Sequence, residues 1–463
     1  MPDEAMRTIV TRVLRRTVDV REGETGALAW SFAYFFLILT SYYILRPIRD
    51  EMGVMGGVEN LAWLFTGTLV GMLILHPLYS SLVARMPRRR FVPLTYRFFI
   101  LNLVLFYLVF RVVEPERAVW VGRLFFIWVS VFNLFVVSVF WSFMTDVYCP
   151  SQSKRLFGVL AVGGTLGAIL GSLITSLLAV SFGTMNLLLL SGLFLELASR
   201  ASGALGRREG VLAQAAGVDH VQGEPDGKGG EVIGGGVLEG VGNVARSPYL
   251  LGIAGIMLLF TVSTTFLYFQ QADLTARIFG DDSPERTRFF ANIDVAVNTL
   301  TLVTQLFVTG RVLKWAGVGF GLAFLPLVSV VGFGVLAVSP VLAVLVALQV
   351  IRRAGNYAIQ RPAREVLYTV LPRADKYKSK NFNDTFVYRV GDQIGAWSYT
   401  LVGALGLGFA GLSTTMVPFS VFWFGLAVWL GVRYGQIQDR KAVTVPTADH
   451  LRSLSGRPED AIR

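Results

Sequence analysis

The apolar stretch ALAWSFAYFFLILTSYYIL, from Ala27 to Leu45, contains no charged residue and is the first of a series of such runs. A helix needs roughly 20 mostly apolar residues to cross the hydrocarbon core of a bilayer, and this stretch is of that length. The whole chain has a matching composition, because 53% of its 463 residues are hydrophobic and only 16% are charged. Soluble domains are about a quarter charged. The composition therefore predicts a membrane protein.

Long apolar runs recur along the chain and predict an all-α membrane protein with twelve transmembrane helices. The predicted spans are 27–45, 61–82, 98–113, 118–146, 156–180, 184–198, 249–270, 288–310, 318–338, 340–359, 386–410 and 412–432. Between the sixth and seventh spans lies the longest polar stretch, 199–248, which includes the glycine-rich sequence GEPDGKGGEVIGGG. Such a composition buries too little apolar surface to order itself, so it predicts a flexible cytoplasmic linker.

The linker divides the chain into two expected six-helix bundles, at 26–198 and 249–433, followed by a cytoplasmic tail at 434–463. Residues 1–25 combine apolar and basic positions, which is typical either of an amphipathic helix on the inner membrane surface or of a solvated tail. They lack a long apolar core, so we do not expect a cleaved signal peptide.

Basic residues set the expected orientation. The chain has 42 Lys and Arg against 31 Asp and Glu, a net charge of +11. Most of these cations fall in alternate connections between the spans, and cytoplasmic loops are the ones that retain Lys and Arg. Both termini are therefore predicted to be cytoplasmic. Because the basic residues lie between apolar runs, the expected partner is a lipid bilayer and not a nucleic acid.

Cofactor and enzyme chemistry have little support in the sequence. A single cysteine, Cys149, excludes an internal disulfide, and the three histidines lie far apart, so we expect no metal centre. We find no nucleophile with a neighbouring base and no glycine-rich phosphate loop. We therefore expect no cofactor and no enzyme activity.

The two halves are related in sequence. The segment SKRLFGVLAVGGTLGA, from Ser153, parallels SKNFNDTFVYRVGDQIGA, from Ser379, at the start of the fifth and eleventh spans. A duplicated six-span bundle is the layout of the major facilitator fold, whose substrate site lies between the halves near the bilayer midplane. The loop ARMPRRR, from Ala84, resembles the basic signature between spans 2 and 3 of that superfamily. Arg88 is thus a candidate gating residue, or an ordinary topology charge.

A pentad of charged residues and proline occurs twice, as RPIRD (Arg46 to Asp50) at the end of span 1 and RPARE (Arg361 to Glu365) at the end of span 10. Two arginines three residues apart point to one side of a helix, and the proline between them is expected to break or kink it. Guanidinium groups make bidentate contacts with phosphate or carboxylate. Arg46, Arg49, Arg361 and Arg364 are therefore candidate anion ligands, with Asp50 holding Arg49. The alternative is an interfacial anchor.

Other charges inside spans are costly and are candidate functional groups. Arg352 and Arg353 lie in span 10, and we expect at least one to face a cavity. Arg389 and Asp392, three residues apart, either neutralise each other or carry protons. Asp294 is a candidate proton or cation site, since its own span offers no positive partner.

Three stretches carry a resemblance to one family. YYILRPIRDEMGV (from Tyr42), VVSVFWSFMTDVY (from Val136) and NYAIQRPAREVLYTVLPRADKYKSKNFND (from Asn356) resemble spans 1, 4 and 10 of the ATP/ADP antiporters, the nucleotide transporters of plastids and intracellular bacteria. The resemblance runs from span 1 to span 11 and implies a nucleotide carrier of the major facilitator superfamily in a bacterial inner membrane.

Residue by residue, the resemblance implies that two functional lysines of the family fall on Arg49 and Arg364. Its acidic residue in span 4 falls near Val129 or Asn133, and that in span 7 falls near Tyr268, with Asp273 one turn on as a substitute. Both positive charges are kept, and both acids are replaced. We therefore expect a related anionic substrate, contacted also by Asn133, Tyr268 and Gln271.

The leading hypothesis is a monomeric alternating-access transporter of an anionic phosphorylated metabolite, most of all a nucleotide such as ATP or ADP. One alternative is a proton-coupled exporter of amphiphilic or cationic compounds, in which Asp273, Asp294 and Asp392 would matter most. Another is a membrane scaffold or receptor that uses the linker.

Overall fold

The computed structural model describes residues 20–21, 23–86, 88–208, 244, 246–372, 379–380 and 382–444, and in these ranges every regular element is helical. The predicted spans correspond to helices α1 Thr25–Met55, α2 Leu61–Arg85, α3 Arg88–Val112, α4 Pro115–Val147, α5 Pro150–Leu178, α6 Asn186–Gly206, α7 Pro248–Phe279, α8 Ser283–Phe307, α9 Gly317–Val338, α10 Leu342–Gly355, α11 Tyr388–Ala404 and α12 Phe409–Thr444. Helices satisfy every backbone N–H internally, which hydrocarbon demands.

The predicted all-α membrane fold is confirmed, and its helix count agrees closely with the twelve expected. Within the described residues, eleven helical segments are long and apolar enough to cross a membrane. The predicted span that is not among these eleven corresponds to α11, which is preceded by a π-helical turn at Asn383–Val387. Helix α10 counts as one span because it continues through a π-helical turn, Asn356–Gln360, and the short helix Arg361–Leu367. A further short helix, Thr309–Trp315, follows α8.

The first pentad lies inside a helix, contrary to expectation. Helix α1 continues beyond Leu45 to Met55, and Pro47 does not break it. The helix ends where Gly57 takes a φ of +87°, a conformation that residues with a Cβ rarely adopt. Arg46 and Arg49 are therefore held on a rigid element, within the membrane-spanning region and not at its edge.

Two helices continue past the ends of their predicted spans. Helix α6 continues to Gly206, within the segment predicted as a linker, and α12 continues to Thr444, within the segment predicted as a tail. Linker residues 209–243 and 245, tail residues 445–463 and nearly all of the predicted N-terminal segment 1–25 lie outside the described residues.

Each half has its own apolar core, and a fourth cluster joins the halves. One core lies within α1–α6, and two lie within α7–α12. The joining cluster brings Val54, Leu61 and Phe126 of the first half against Phe269 and Phe290 of the second. Helix α8 packs against α1 and α5, and α11 packs against α2, so these helices form the interface between the halves.

Glycines of α5 allow α1 to approach closely. Gly163, Gly164, Gly167 and Gly171 repeat at helical spacing, and all four face α1. A Cβ at Gly167 would overlap the carbonyl oxygen of Phe36, and one at Gly171 would overlap that of Thr40. Small residues are what lets two membrane helices meet this closely, so this packing fixes the position of α1 and its charges.

We expect Gly167→Val to lower the free energy of unfolding in detergent by about 1–3 kcal/mol, because backbone at the overlap cannot move aside. Gly158→Val is the matched control on the same helix, since nothing lies within 4 Å of its Cβ position. Thermal unfolding of both purified variants measures the difference. Equal destabilisation by both would contradict the proposed packing.

Candidate functional site

Buried polar contacts join the two halves near the end of α1. Glu51 accepts from Arg286 at 2.7 Å, and their side chains are 0% and 6% exposed. Arg286 also donates to the carbonyl of Gly280. Nearby, Thr66 of α2 donates to Gln393 of α11 at 2.9 Å. We call this region, from Glu51 and Arg286 to Thr66 and Gln393, the closed end of the interface.

Deeper along α1, three charges from three helices meet. Arg353 of α10 donates to Asp294 of α8 at 2.6 Å, and Arg46 of α1 lies 3.5 Å from the same carboxylate oxygen. The Asp294 side chain is 2% exposed, and its second oxygen is buried without a hydrogen-bond partner. One carboxylate is therefore shared by a guanidinium from each half.

A cavity of about 140 Å³, which we call cavity 1, lies beside this cluster. Its lining is polar, cationic and aromatic, and comes from α1, α7, α10 and α11: Arg46, Asp50, Phe260, Thr264, Tyr268, Gln271, Gln349, Arg352, Arg353, Asn356, Tyr357 and Tyr388. Both halves contribute, as expected for a site at the midplane of this fold.

Arg352 is the least compensated charge of cavity 1. Its side chain is buried, with 3% of the residue exposed, and it donates to the hydroxyl of Ser263 at 2.6 Å and to the Ser263 carbonyl at 3.2 Å. Its Nε atom has no partner, and no carboxylate lies within ion-pair distance anywhere in the described part of the chain. A buried cation is costly unless it is paired, so a ligand that supplies negative charge would relieve it.

A second cavity of about 280 Å³, cavity 2, lies beside α4 and α11. Arg49 lines it, bound to Asp50 at 2.6 Å and placed 4.9 Å from the ring centre of Phe126. Arg389 and Asp392 also line it and pair at 3.4 Å, as the neutralising alternative for these two residues expects.

The two cavities adjoin. Thr264, Tyr268 and Tyr388 line both of them. Tyr268 donates to Asp50 at 3.1 Å, a contact that crosses from α7 to α1. The two cavities therefore share part of their wall, and a larger ligand that reached both would contact these side chains.

Most of the predicted ligand residues fall in these cavities. Those that line one or both are Arg46, Arg49, Asp50, Asn133, Tyr268, Gln271, Arg352, Arg353, Arg389 and Asp392. Asp294 lies directly behind cavity 1 through its two arginines. Its positive partners come from other helices, as its own span offers none, and two guanidiniums on one carboxylate leave little attraction for a metal cation.

The second pentad does not join the first. Arg361 is exposed, and Arg364 is buried 3.8 Å from Asp384, while Glu365 pairs with Lys380. Neither arginine lines a cavity. The two pentads therefore lie apart, because Arg361 and Arg364 are two to three turns beyond Arg352 and Arg353, at the far end of the tenth span.

Two gating candidates also lie elsewhere. Asp273 pairs with Arg277 of its own helix at 2.8 Å and lines neither cavity. Arg88 begins α3, and its side chain is outside the described part of the structure.

Sequence reasoning missed the Glu51–Arg286 pair. Glu51 directly follows the pentad and was available as an acid near a span, but Arg286 was assigned to an outer loop because hydropathy starts the eighth span at residue 288. Helix α8 begins at Ser283 instead. Gln349, which donates to Gln271 in cavity 1, and Ser130, which lines cavity 2, were missed too, and nothing in their sequence context distinguishes them.

Solved structures show what the fold resembles. A bacterial homologue of the iron transporter ferroportin, in an inward-facing state, aligns with TM-score 0.60 at 12% identity over 89% of this chain and 98% of that one. An auto-inhibited POT family peptide transporter gives 0.56 at 15% identity over 89% and 96%, and the nucleoside transporter NupG gives 0.51 at 12% identity over 90% and 100%.

At 12–15% identity these likenesses show the fold alone, and it is the fold that the two-bundle layout of the sequence predicts. No protein-family model and no curated protein matches the sequence. The resemblance to ATP/ADP antiporters therefore rests on the three quoted stretches alone.

Breaking the Glu51–Arg286 pair should destabilise the closed end. We expect Glu51→Gln and Arg286→Gln each to lower the free energy of unfolding by about 3–5 kcal/mol, because each leaves an uncompensated buried charge. The double variant should be more stable than the sum of the two losses predicts, a coupling of about 0.5–3 kcal/mol in a double-mutant cycle.

The exposed Asp273–Arg277 pair is the control for this cycle, with an expected contribution of about 0–1 kcal/mol. Thermal unfolding in detergent measures all of the variants. Strictly additive losses at Glu51 and Arg286 would show that the two side chains do not stabilise one another.

Proposed function

We propose that this chain is a membrane transporter of a small organic anion. The observation that carries the proposal is Arg352, a buried guanidinium beside a cavity that both halves line, with no carboxylate partner in the described residues. A structural arginine in a membrane protein is expected to be paired or to reach the interface. An unpaired one at an internal cavity is explained by an anionic ligand.

The charge balance of the two cavities supports an anion over a cation. Five arginines line them, against two lining acids and the buried Asp294 behind them: Arg46, Arg49, Arg352, Arg353 and Arg389 against Asp50, Asp392 and Asp294. With all of these groups ionised, the site is positive. A cationic cargo, as the exporter alternative requires, would be repelled from it.

Among organic anions, we infer that the substrate is a phosphorylated metabolite, and specifically a nucleotide. Guanidinium groups bind phosphate in a bidentate manner, and cavity 1 presents three of them. Cavity 2 adds Phe65 and Phe126 beside the polar Ser130 and Asn133, surroundings in which a base could stack and form hydrogen bonds. The resemblance to ATP/ADP antiporters favours the same class, with Asn133 and Tyr268 in place of its acids.

The interface suggests how transport proceeds. The halves are tied together at the closed end, near the C-terminal end of α1 and the N-terminal end of α8. The predicted orientation, with both termini in the cytoplasm of a bacterial inner membrane, would make this the outer end and the structure an inward-open state. Alternating access would then exchange these contacts for contacts at the cytoplasmic end.

A thermal-shift screen tests the substrate class. Purified protein is screened against nucleoside mono-, di- and triphosphates, sugar phosphates, dicarboxylates and organic cations. A ligand that binds only the folded protein raises its unfolding temperature in proportion to RT ln(1 + [L]/Kd). Stabilisation by phosphorylated anions supports the proposal, and stabilisation by cations alone would refute it.

Replacing Arg352 should separate stability from binding. We expect Arg352→Met to keep or raise the thermal stability of the ligand-free protein, because it removes an uncompensated buried charge. The same change should weaken anion binding by about 10-fold to 100-fold, the worth of one charged hydrogen-bond partner. Arg277→Met, at an exposed arginine away from the cavities, is the matched control and should leave binding unchanged. Unchanged anion affinity in Arg352→Met would contradict the assigned role.

A further inference from the structure

Asp294 occupies a position that an anionic ligand would contest. Arg46 and Arg353 both contact its Oδ1 atom, and both also line cavity 1. The two arginines come from opposite halves, so the carboxylate stands in for a ligand that would otherwise bridge them. Its Oδ2 atom is buried, and no hydrogen bond reaches it.

We propose that Asp294 is a proton site, and that the transporter carries a proton together with its anion. This inference rests on the proposed function, since it requires an anion in cavity 1. An anion that takes hydrogen bonds from Arg46 and Arg353 draws them away from Asp294. The carboxylate is then buried with little compensation, and a carboxylate in that state binds a proton.

The proton balance is simple. When Arg46 and Arg353 turn to the anion they uncover Asp294 to cavity 1, so that water can deliver a proton to the carboxylate, and Asp294 becomes a neutral carboxylic acid while the anion is bound. When the anion leaves, the arginines return to the carboxylate and favour its charged form, so the proton leaves too. Each anion therefore crosses with one proton, and the buried charge of the site changes less on binding than it would without the acid.

Among the described residues, none of the side chains around Asp294 is a competing acid at close range. Helix α1 presents Arg46 with Tyr43 beside it, and α10 presents Arg353, with Tyr357 one turn on. Helix α5, which packs closely against α8, has no ionisable side chain from 156 to 178 apart from hydroxyls.

The other carboxylates near cavity 1 are already engaged. Asp50 is bound by Arg49 and Tyr268. Glu51 is bound by Arg286. In the described part of the chain, Asp294 is thus the acid whose partners an anion in cavity 1 would take.

Calorimetric titration counts the protons. Anion binding to the detergent-purified full chain is measured at pH 8 in two buffers of different ionisation enthalpy, with ATP, pyrophosphate and sulfate as probes. We expect the wild-type protein to take up close to one proton per anion bound, as the linkage of binding to one titrating group requires. Asp294→Asn should bind the same probe with no proton uptake, and the comparison removes any protonation of the probe itself.

Three comparisons make the result decisive. Asp273→Asn, an acid paired within its own helix outside both cavities, should retain the wild-type proton uptake. Asp294→Glu keeps the carboxylate and should also retain it, and thermal unfolding shows which variants are folded. If Asp294→Asn does not fold, the wild-type proton count and the Asp294→Glu count still decide.

The two proposals fail in different ways. Binding of a probe to the wild-type protein without proton uptake, or equal uptake in Asp294→Asn, would overturn the proton site and leave anion transport standing. If none of the probes binds the wild-type protein, both proposals fail together.

Discussion

Charge has very few stable positions inside a membrane, and this constraint organises the molecule. A charged side chain facing hydrocarbon is costly, so arginines and acids within the spans must turn toward one another or toward an internal cavity. Here they gather where the two six-helix halves meet. Arg46 with Asp294 and Glu51 with Arg286 are ion pairs between the halves, and Arg353 of the second half joins the first of them. For the same reason the spans are helices, since a helix pairs its backbone N–H and C=O groups internally.

The packing of α1 against α5 positions the charged residues that α1 carries. The glycines of α5 let α1 approach so closely that a Cβ at Gly167 or Gly171 would overlap its carbonyl oxygens. Helix α1 also remains helical through Pro47 to Met55. One rigid helix thus carries Arg46 toward cavity 1, Arg49 toward cavity 2 and Glu51 to the closed end. A break at Pro47 would have separated the two arginines from the interface.

The arginines that line the cavities differ in whether an acid neutralises them. Arg49 with Asp50, and Arg389 with Asp392, are pairs that neutralise themselves. Arg352 is different, since within the described residues its hydrogen bonds go to hydroxyl and carbonyl oxygens and to no carboxylate. A protein selected for stability alone would have little reason to keep such a charge, and a binding protein keeps it because the ligand completes the site.

Sequence by itself determined the fold class of this protein and much of its site. Apolar runs of about 20 residues predict the helices, because an α-helix of that length spans the hydrocarbon and satisfies its own backbone, and charges within the runs mark the residues that must face inward. The sequence could not show which charged residues pair with one another. Arg364 and Arg352 look alike in sequence, yet one pairs with Asp384 and the other lines a cavity, and Asp294 finds its arginines on α1 and α10. Only the tertiary structure decided these pairings, because they join residues from helices far apart in the chain, and the crossing of those helices sets which charges meet.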